Sequence, residues 1–382
     1  MNVKVRVLKE GTGLYKMLQI LALAGEYPSD SLELLGNKKT MQNTITDGKT
    51  AMMVSNNDTK ETIYTKLFNV SGDKRRKAIH LSVSALPVLN WLEPNLELVY
   101  LERFPESKFS TLPEKRERNF RIAESMAICM DAGIEIRSNR LPVLQMEDFM
   151  KICFPCPVFY DSRRLKLSNI APGAKAKFSR TIGMIVTENA GYAVYNVRAA
   201  VHLMRWNKQG EIKAKQNYAA LLRMNFDQHQ FDSAVFIGLS YNSLLAPDFK
   251  KRYRNGSIVI YDGIYQHIHF IPENDFGKQL LRMLTGTNSN FREKCSEIMF
   301  SEKDRELAKG YDSLDAVQGD KYCYCFFDSD IARLFASMKQ IEQDIGRYIL
   351  FCFSEQADFL QQFIPKAEIR TIPLKLLEER LQ

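Results

Sequence analysis

Between Leu14 and Leu92 the apolar positions change period twice. Leu14, Met17, Leu18, Leu21 and Ala24 recur at three- and four-residue spacing, which predicts a helix with one buried stripe that ends at Gly25. Ser29 or Asp30 can cap a second short helix carrying Leu32, Leu34 and Leu35. Gly36-Asn37 breaks it, and a third helix is predicted over 38–46, with Met41 and Ile45 four apart on its inner side. After Asn56-Asn57-Asp58 the period becomes that of a strand over 62–70. A turn, Ser71 to Lys77, leads to a return strand in which Ile79, Leu81 and Val83 alternate. Ser84 can cap a closing helix with Leu86, Leu89, Trp91 and Leu92, which Pro94 stops.

Three helices followed by a two-stranded turn are the plan of a winged helix, and the polar residues left over support that reading. The outer side of the third helix carries Lys38, Lys39, Thr40, Gln42, Asn43 and Thr46. Asn and Gln can pair bidentately with adenine and Lys with guanine or phosphate, so this is the candidate recognition helix. The turn carries four consecutive cations, Lys74, Arg75, Arg76 and Lys77, suited to a phosphate backbone. A charged hairpin tip can equally be a solvated turn, but behind three helices it points to nucleic acid.

Organisation changes after Tyr100. Prolines and charges interrupt periodicity over 100–115, and an amphipathic helix is predicted from Glu114 to Ala132. Residues 1–100 are therefore expected as a winged-helix DNA-binding domain built on a helix-turn-helix, 101–154 as a linker with an amphipathic helix, and 155–382 as a mixed α/β domain. In the last, strands are expected at 157–160, 181–187, 192–197, 234–239, 258–261, 264–271, 322–327, 348–353 and 367–370. Helices are expected at 211–224, 244–253, 331–345, 355–363 and 374–381.

The chain of 382 residues carries 53 Lys and Arg against 45 Asp and Glu, a formal charge of +8 that favours a polyanionic partner. No run reaches the roughly 18–20 apolar residues of a membrane span, and Met1 to Arg6 lacks an apolar signal core, so a cytoplasmic protein without membrane contact is expected. Seven scattered cysteines read as reduced. Cys153-x-x-Cys156 and Cys323-x-Cys325 lack the compact geometry of a structural zinc site and read as core residues. His267 and His269 lack an evident third ligand and read as a polar strand face. No metal and no cofactor is expected.

Neither a glycine-rich phosphate loop nor a nucleophile elbow follows any predicted strand. An alternative, metal-dependent nuclease of restriction-endonuclease-like type, draws on Glu211-x-Lys213 with Asp161 or Glu188 as the second carboxylate. Yet Glu211 follows Gln209-Gly210 and reads as a helix start, where an acidic residue complements the helix dipole.

The helical trio, the wing with Lys74-Arg75-Arg76-Lys77, and the segments Phe159 to Arg163, Ser179 to Gly183 and Tyr192 to Asn196 resemble the replication-relaxation family of bacterial plasmids and integrative conjugative elements. The resemblance covers about the first 230 residues. It implies an accessory protein that binds double-stranded DNA in plasmid replication or in conjugation of a mobile genetic element, alongside other replication or transfer proteins, with a second domain that is a degenerate nuclease fold. A homodimer would imply a palindromic site. A protein-interaction scaffold is the third expectation.

Overall fold

The computed structural model describes residues 5–72, 77–110, 112–136, 157–167, 179–198, 207–226, 230–245, 263–286 and 291–381. The chain is mixed α/β and divides into two compact units, one of residues 1–131 with 136–139, the other of 132–135 with 140–382.

In the first unit, Val5–Leu8 (β1) precedes helix α1, Gly13–Ala24. The predicted stripe of α1 is buried throughout, Thr12 caps its start by accepting from the Tyr15 N–H, and Gly25 closes it at φ 82°. Tyr27–Pro28 (β2) leads to a single 3₁₀ turn at Leu32–Leu35, shorter than the helix expected there, because Gly36 at φ 138° ends it at once. Helix α2, Lys38–Gly48, runs two residues past its predicted end and starts on Asn37, whose Oδ1 accepts from the Thr40 N–H at 3.1 Å.

The strand expected over 62–70 is two strands in two sheets. Thr62–Thr65 (β4) pairs with Met52–Asn56 (β3), which is parallel to β1 on its other side, giving the order β1-β3-β4. Phe68–Ser71 (β5) pairs instead with Ala78–Leu81 (β6), and β6 pairs with β2, giving β2-β6-β5. Leu67 makes the switch: its N–H bonds the Gly48 carbonyl at the end of α2, and its carbonyl takes the Ser82 N–H, each at 2.9 Å. Short helices α3 (Leu86–Leu89) and α4 (Leu96–Arg103) follow. Helix α5, Pro113–Asp131, expected in a linker, is part of the first unit and buries Phe120, Ile122, Met126 and Ile128.

The second unit holds two sheets. The first has the order β12-β11-β10-β9-β8-β7, with β7 Glu135–Ile136, β8 Val158–Asp161, β9 Gly183–Val186, β10 Ala190–Arg198, β11 Gln230–Gly238 and β12 His267–Pro272. Strands β8, β9 and β10 form an antiparallel meander, and β10, β11 and β12 are mutually parallel. A short helix, α6 (Ser162–Leu167), follows β8, and α7 (Lys208–Phe226) makes the crossover from β10 to β11. The expected hairpin of 258–261 with 264–271 is not tested on its first arm, since 246–262 lie outside the described residues. The second arm is β12.

Between 272 and 321, where no element was expected, stand α8 (Asp275–Gly286), α9 (Phe291–Met299), α10 (Glu302–Glu306) and β13 (Ala316–Gln318). The C-terminal third alternates as predicted: β14 Lys321–Cys325, α11 Ile331–Gln343, β15 Tyr348–Phe353, α12 Ser354–Phe363, β16 Glu368–Ile372 and α13 Leu374–Leu381. Strands β14, β15 and β16 are parallel, with β13 antiparallel at the β14 edge. Cys323 and Cys325 are buried in β14, where burial raises both thiols, so they are core residues as expected; Cys153 and Cys156 lie outside the described residues. Among the described residues no helix is long and apolar enough to cross a membrane.

Candidate functional site

Helix α2 buries Met41, Thr44, Ile45 and Gly48 and leaves Lys38, Lys39, Thr40, Gln42, Asn43 and Thr46 exposed. All six candidate recognition residues therefore share one solvent face, the outcome of a 3.6-residue repeat with a narrow apolar stripe. Three of them are locally committed. Thr40 Oγ1 donates to Asn37, Thr46 Oγ1 donates to the Gln42 carbonyl at 2.9 Å, and Lys38 pairs with Glu33 at 3.0 Å across a solvated gap worth little. The Lys39 ammonium and the side-chain amides of Gln42 and Asn43 hold no partner among the described residues, so their donors and acceptors face solvent. On the inner side Gly48 is needed for close approach: a Cβ there would stand 2.5 Å from the fully buried Phe68 ring. Arg6 on β1 pairs with Asp47, fixing the far end of α2.

The basic turn joins β5 to β6. Lys77 is exposed at the start of the return strand; Lys74, Arg75 and Arg76 lie outside the described residues. At the base of the hairpin is a polar cluster that sequence reasoning did not find, with Glu26, His80 and Asn119 buried and Ser71 at its exposed edge. Ser71 Oγ, the last side chain of β5, is 2.6 Å from His80 Nε2 on β6 and accepts from Arg116 Nη2 at 3.0 Å. Glu26, fully buried after α1, accepts from Arg116 Nε at 3.2 Å and from Asn119 Nδ2 at 2.6 Å. Helix α5 is thereby fastened to the root of the hairpin. The His80 imidazole is lowered to about 4, first by burial and then by the Arg116 charge; Glu26 lies 4.0 Å away, but its oxygens already serve Arg116 and Asn119. The cluster joins residues up to 93 apart in sequence, so no local spacing announces it.

The alternative nuclease residues do not assemble. Glu211 is in the first turn of α7, the helix start that its context predicted, and is fully buried. Its Oε1 accepts from the Arg180 N–H at 2.6 Å, and its Oε2 accepts from Ser179 Oγ and Tyr195 OH, both at 2.8 Å. Burial raises its carboxyl, while those donors oppose the rise. Lys213, two residues along the helix, is exposed. Asp161 ends β8 opposite Gly183, which pairs with Val194. Tyr195, next along, faces the other side of the sheet, and it is Tyr195 that holds Glu211. Glu188 is exposed in the β9–β10 turn, at the far end of β9 from Gly183, roughly 10 Å or more along the strand. Among the described residues no three His, Cys, Asp or Glu side chains are placed to hold a metal ion.

No family model, no curated protein and no solved structure matches the chain.

Proposed function

We propose that the first unit is a winged helix that binds duplex DNA, and that the chain acts as a DNA-binding accessory protein in the replication or transfer of a plasmid or other mobile element. The observation that carries the reading is the solvent face of α2, where Lys39, Gln42 and Asn43 stand unpartnered on a helix anchored by its opposite side. The sheet order β2-β6-β5 supports it, because it makes the basic turn the tip of the hairpin that follows the helix-turn-helix. In this reading α2 enters the major groove and reads base edges through Gln42 and Asn43, while Lys38, Lys39 and the turn cations Lys74, Arg75, Arg76 and Lys77 contact phosphate. The Ser71–His80–Arg116–Glu26 cluster holds the root of the hairpin.

For the second unit we infer a non-catalytic, restriction-endonuclease-like core. The antiparallel meander, the crossover helix and the parallel strand that follows it support the reading of the core, and the two oxygens of Glu211 already accept from three donors, which supports the non-catalytic form. The test is a titration of the full-length protein against duplex and single-stranded DNA at several salt concentrations, with and without magnesium, with products run on a denaturing gel. Salt-dependent duplex retention with intact DNA is expected. Magnesium-dependent cleavage would establish the nuclease instead, and no retention at low salt would leave an interaction scaffold.

A further inference from the structure

From Ser162 to Gly210 the chain carries nine lysines and arginines and a single acidic residue, Glu188. The formal charge of this stretch, +8, equals that of the entire chain, so the remaining residues balance one another. A solvated surface ordinarily mixes the two signs, and a stretch of one sign points to an anionic partner.

The register of the first sheet of the second unit brings four of these cations to one end of it. Asp161 ends β8 opposite Gly183, the first residue of β9, and Gly183 is opposite Val194 of β10. Pairing continues beyond β9: the Ser162 N–H bonds the Ile182 carbonyl at 2.8 Å, and the Ile182 N–H bonds the Val194 carbonyl at 2.9 Å. Arg163 follows β8, Arg180 precedes β9 and Arg198 closes β10, so all three stand at the same end of three adjacent strands. With strands about 4.8 Å apart, the row spans roughly 10 Å. Lys208 opens α7 at this end too, one turn before Glu211, whose Oε1 holds the Arg180 N–H. Glu188 is in the β9–β10 turn, at the opposite end of the sheet.

Each arginine has its main chain fixed by a buried side-chain oxygen. Asp161, 3% exposed, accepts the Arg163 N–H at 2.9 Å. Glu211 and Asn196, both fully buried, accept the Arg180 N–H at 2.6 Å and the Arg198 N–H at 2.8 Å. Asn196 thereby supports Arg198 at φ 50°, a region that a non-glycine residue seldom enters. Arg180 and Lys208 are exposed, and Arg163 and Arg198 half-buried. A solvated strand end accounts for one such arginine. It leaves unexplained three in a row, each with the same support.

We propose that this end of the sheet is a phosphate-backbone site of the second unit and that its ligand is duplex DNA, gripped without regard to sequence. Guanidinium forks take phosphate oxygens in pairs, and a row of them on a rigid sheet suits a linear array of phosphates. The choice of DNA as the polyanion rests on the reading of the first unit; the row of cations does not.

The experiment titrates full-length proteins on two labelled duplexes of unrelated sequence across a salt series. Beside the parent stand Arg163→Gln/Arg180→Gln/Arg198→Gln, the exposed pair Arg180→Gln/Lys208→Gln, and Lys74→Ala/Arg75→Ala/Arg76→Ala/Lys77→Ala alone and combined with the exposed pair. The supporting bonds run to main-chain N–H groups, which these substitutions keep, and circular dichroism melts check the fold. The triple variant is expected to bind both duplexes at least about tenfold more weakly, with the slope of log affinity against log salt reduced by up to about 3, at about 0.9 per phosphate. The exposed pair is expected to reduce it by up to about 2, in the parent and in the turn variant alike. If the turn variant binds as the parent does while the exposed pair loses affinity, the first-unit reading fails and this site stands. Unchanged affinity and slope in the exposed pair, a loss confined to one duplex, or binding to phosphatidylserine vesicles in place of DNA would each overturn the proposal.

Discussion

The His80 imidazole is 6% exposed, wedged between Ser71 and the Glu26–Arg116 pair, and its ordinary value of 6.5 falls to about 4. Between those values the unfolded chain takes up a proton that the folded chain refuses. Stability is therefore level above about 6.5 and falls as pH drops toward about 4, by a total on the order of 3 kcal/mol. Urea unfolding of the full-length protein at about pH 7.5 and about pH 5 checks this. The parent should lose midpoint on acidification and His80→Asn should lose less; equal losses in both would remove His80 as the cause. The same residue illustrates what a sequence withholds. His80 falls on the alternation of the return strand, yet the Glu26–Arg116 pair that surrounds it comes from a loop and a helix that only the fold brings to it. Glu211 is the opposite case: Gln209-Gly210 before it signalled a helix start, and the helix is there.

At the scale of elements, α2 separates two tasks by face. Met41, Ile45 and Gly48 hold it against the unit, and the exposed side is free to vary without unfolding it. Replacing Gln42 and Asn43 with Ala is therefore expected to leave the melting temperature unchanged and to flatten the preference among DNA sequences, by about 1–3 kcal/mol for each bidentate pair lost. Selection of bound sequences from a random pool, compared between parent and variant, measures it; a variant that keeps the same preferred site would show that these amides do not read bases. This face was legible because a surface helix prints its period directly into the chain. Strand β1 shows the limit. Val5 and Val7 alternate as a buried face would, yet they are 52% and 53% exposed, while Arg6 turns inward to Asp47. Alternation gives the two faces of a strand and not which one the neighbours cover. The switch of chain at Leu67 was illegible for a similar reason, since one continuous β-rich run serves two sheets. Nothing physical hid α8, whose Phe276, Leu280, Leu281, Met283 and Leu284 carry the helical period plainly.

The whole molecule carries a net charge of +8, a value too small to hold duplex DNA by general attraction if the cations were evenly spread. Concentration of charge is the relevant quantity, and it is highest at Lys74, Arg75, Arg76 and Lys77, on the hairpin whose root α5 secures. Each phosphate neutralised contributes about 0.9 to the slope of log affinity against log salt. Replacing all four with Ala should thus reduce that slope by up to about 3–4 and weaken binding to every duplex alike, leaving the preferred sequence in place. Titrations of parent and variant on a preferred and a scrambled duplex across a salt series separate the outcomes. A parallel fall on both duplexes with a flatter slope assigns the turn to the backbone. A fall confined to the preferred duplex, with the slope intact, would place base reading in the turn and reverse the division of labour between hairpin and helix.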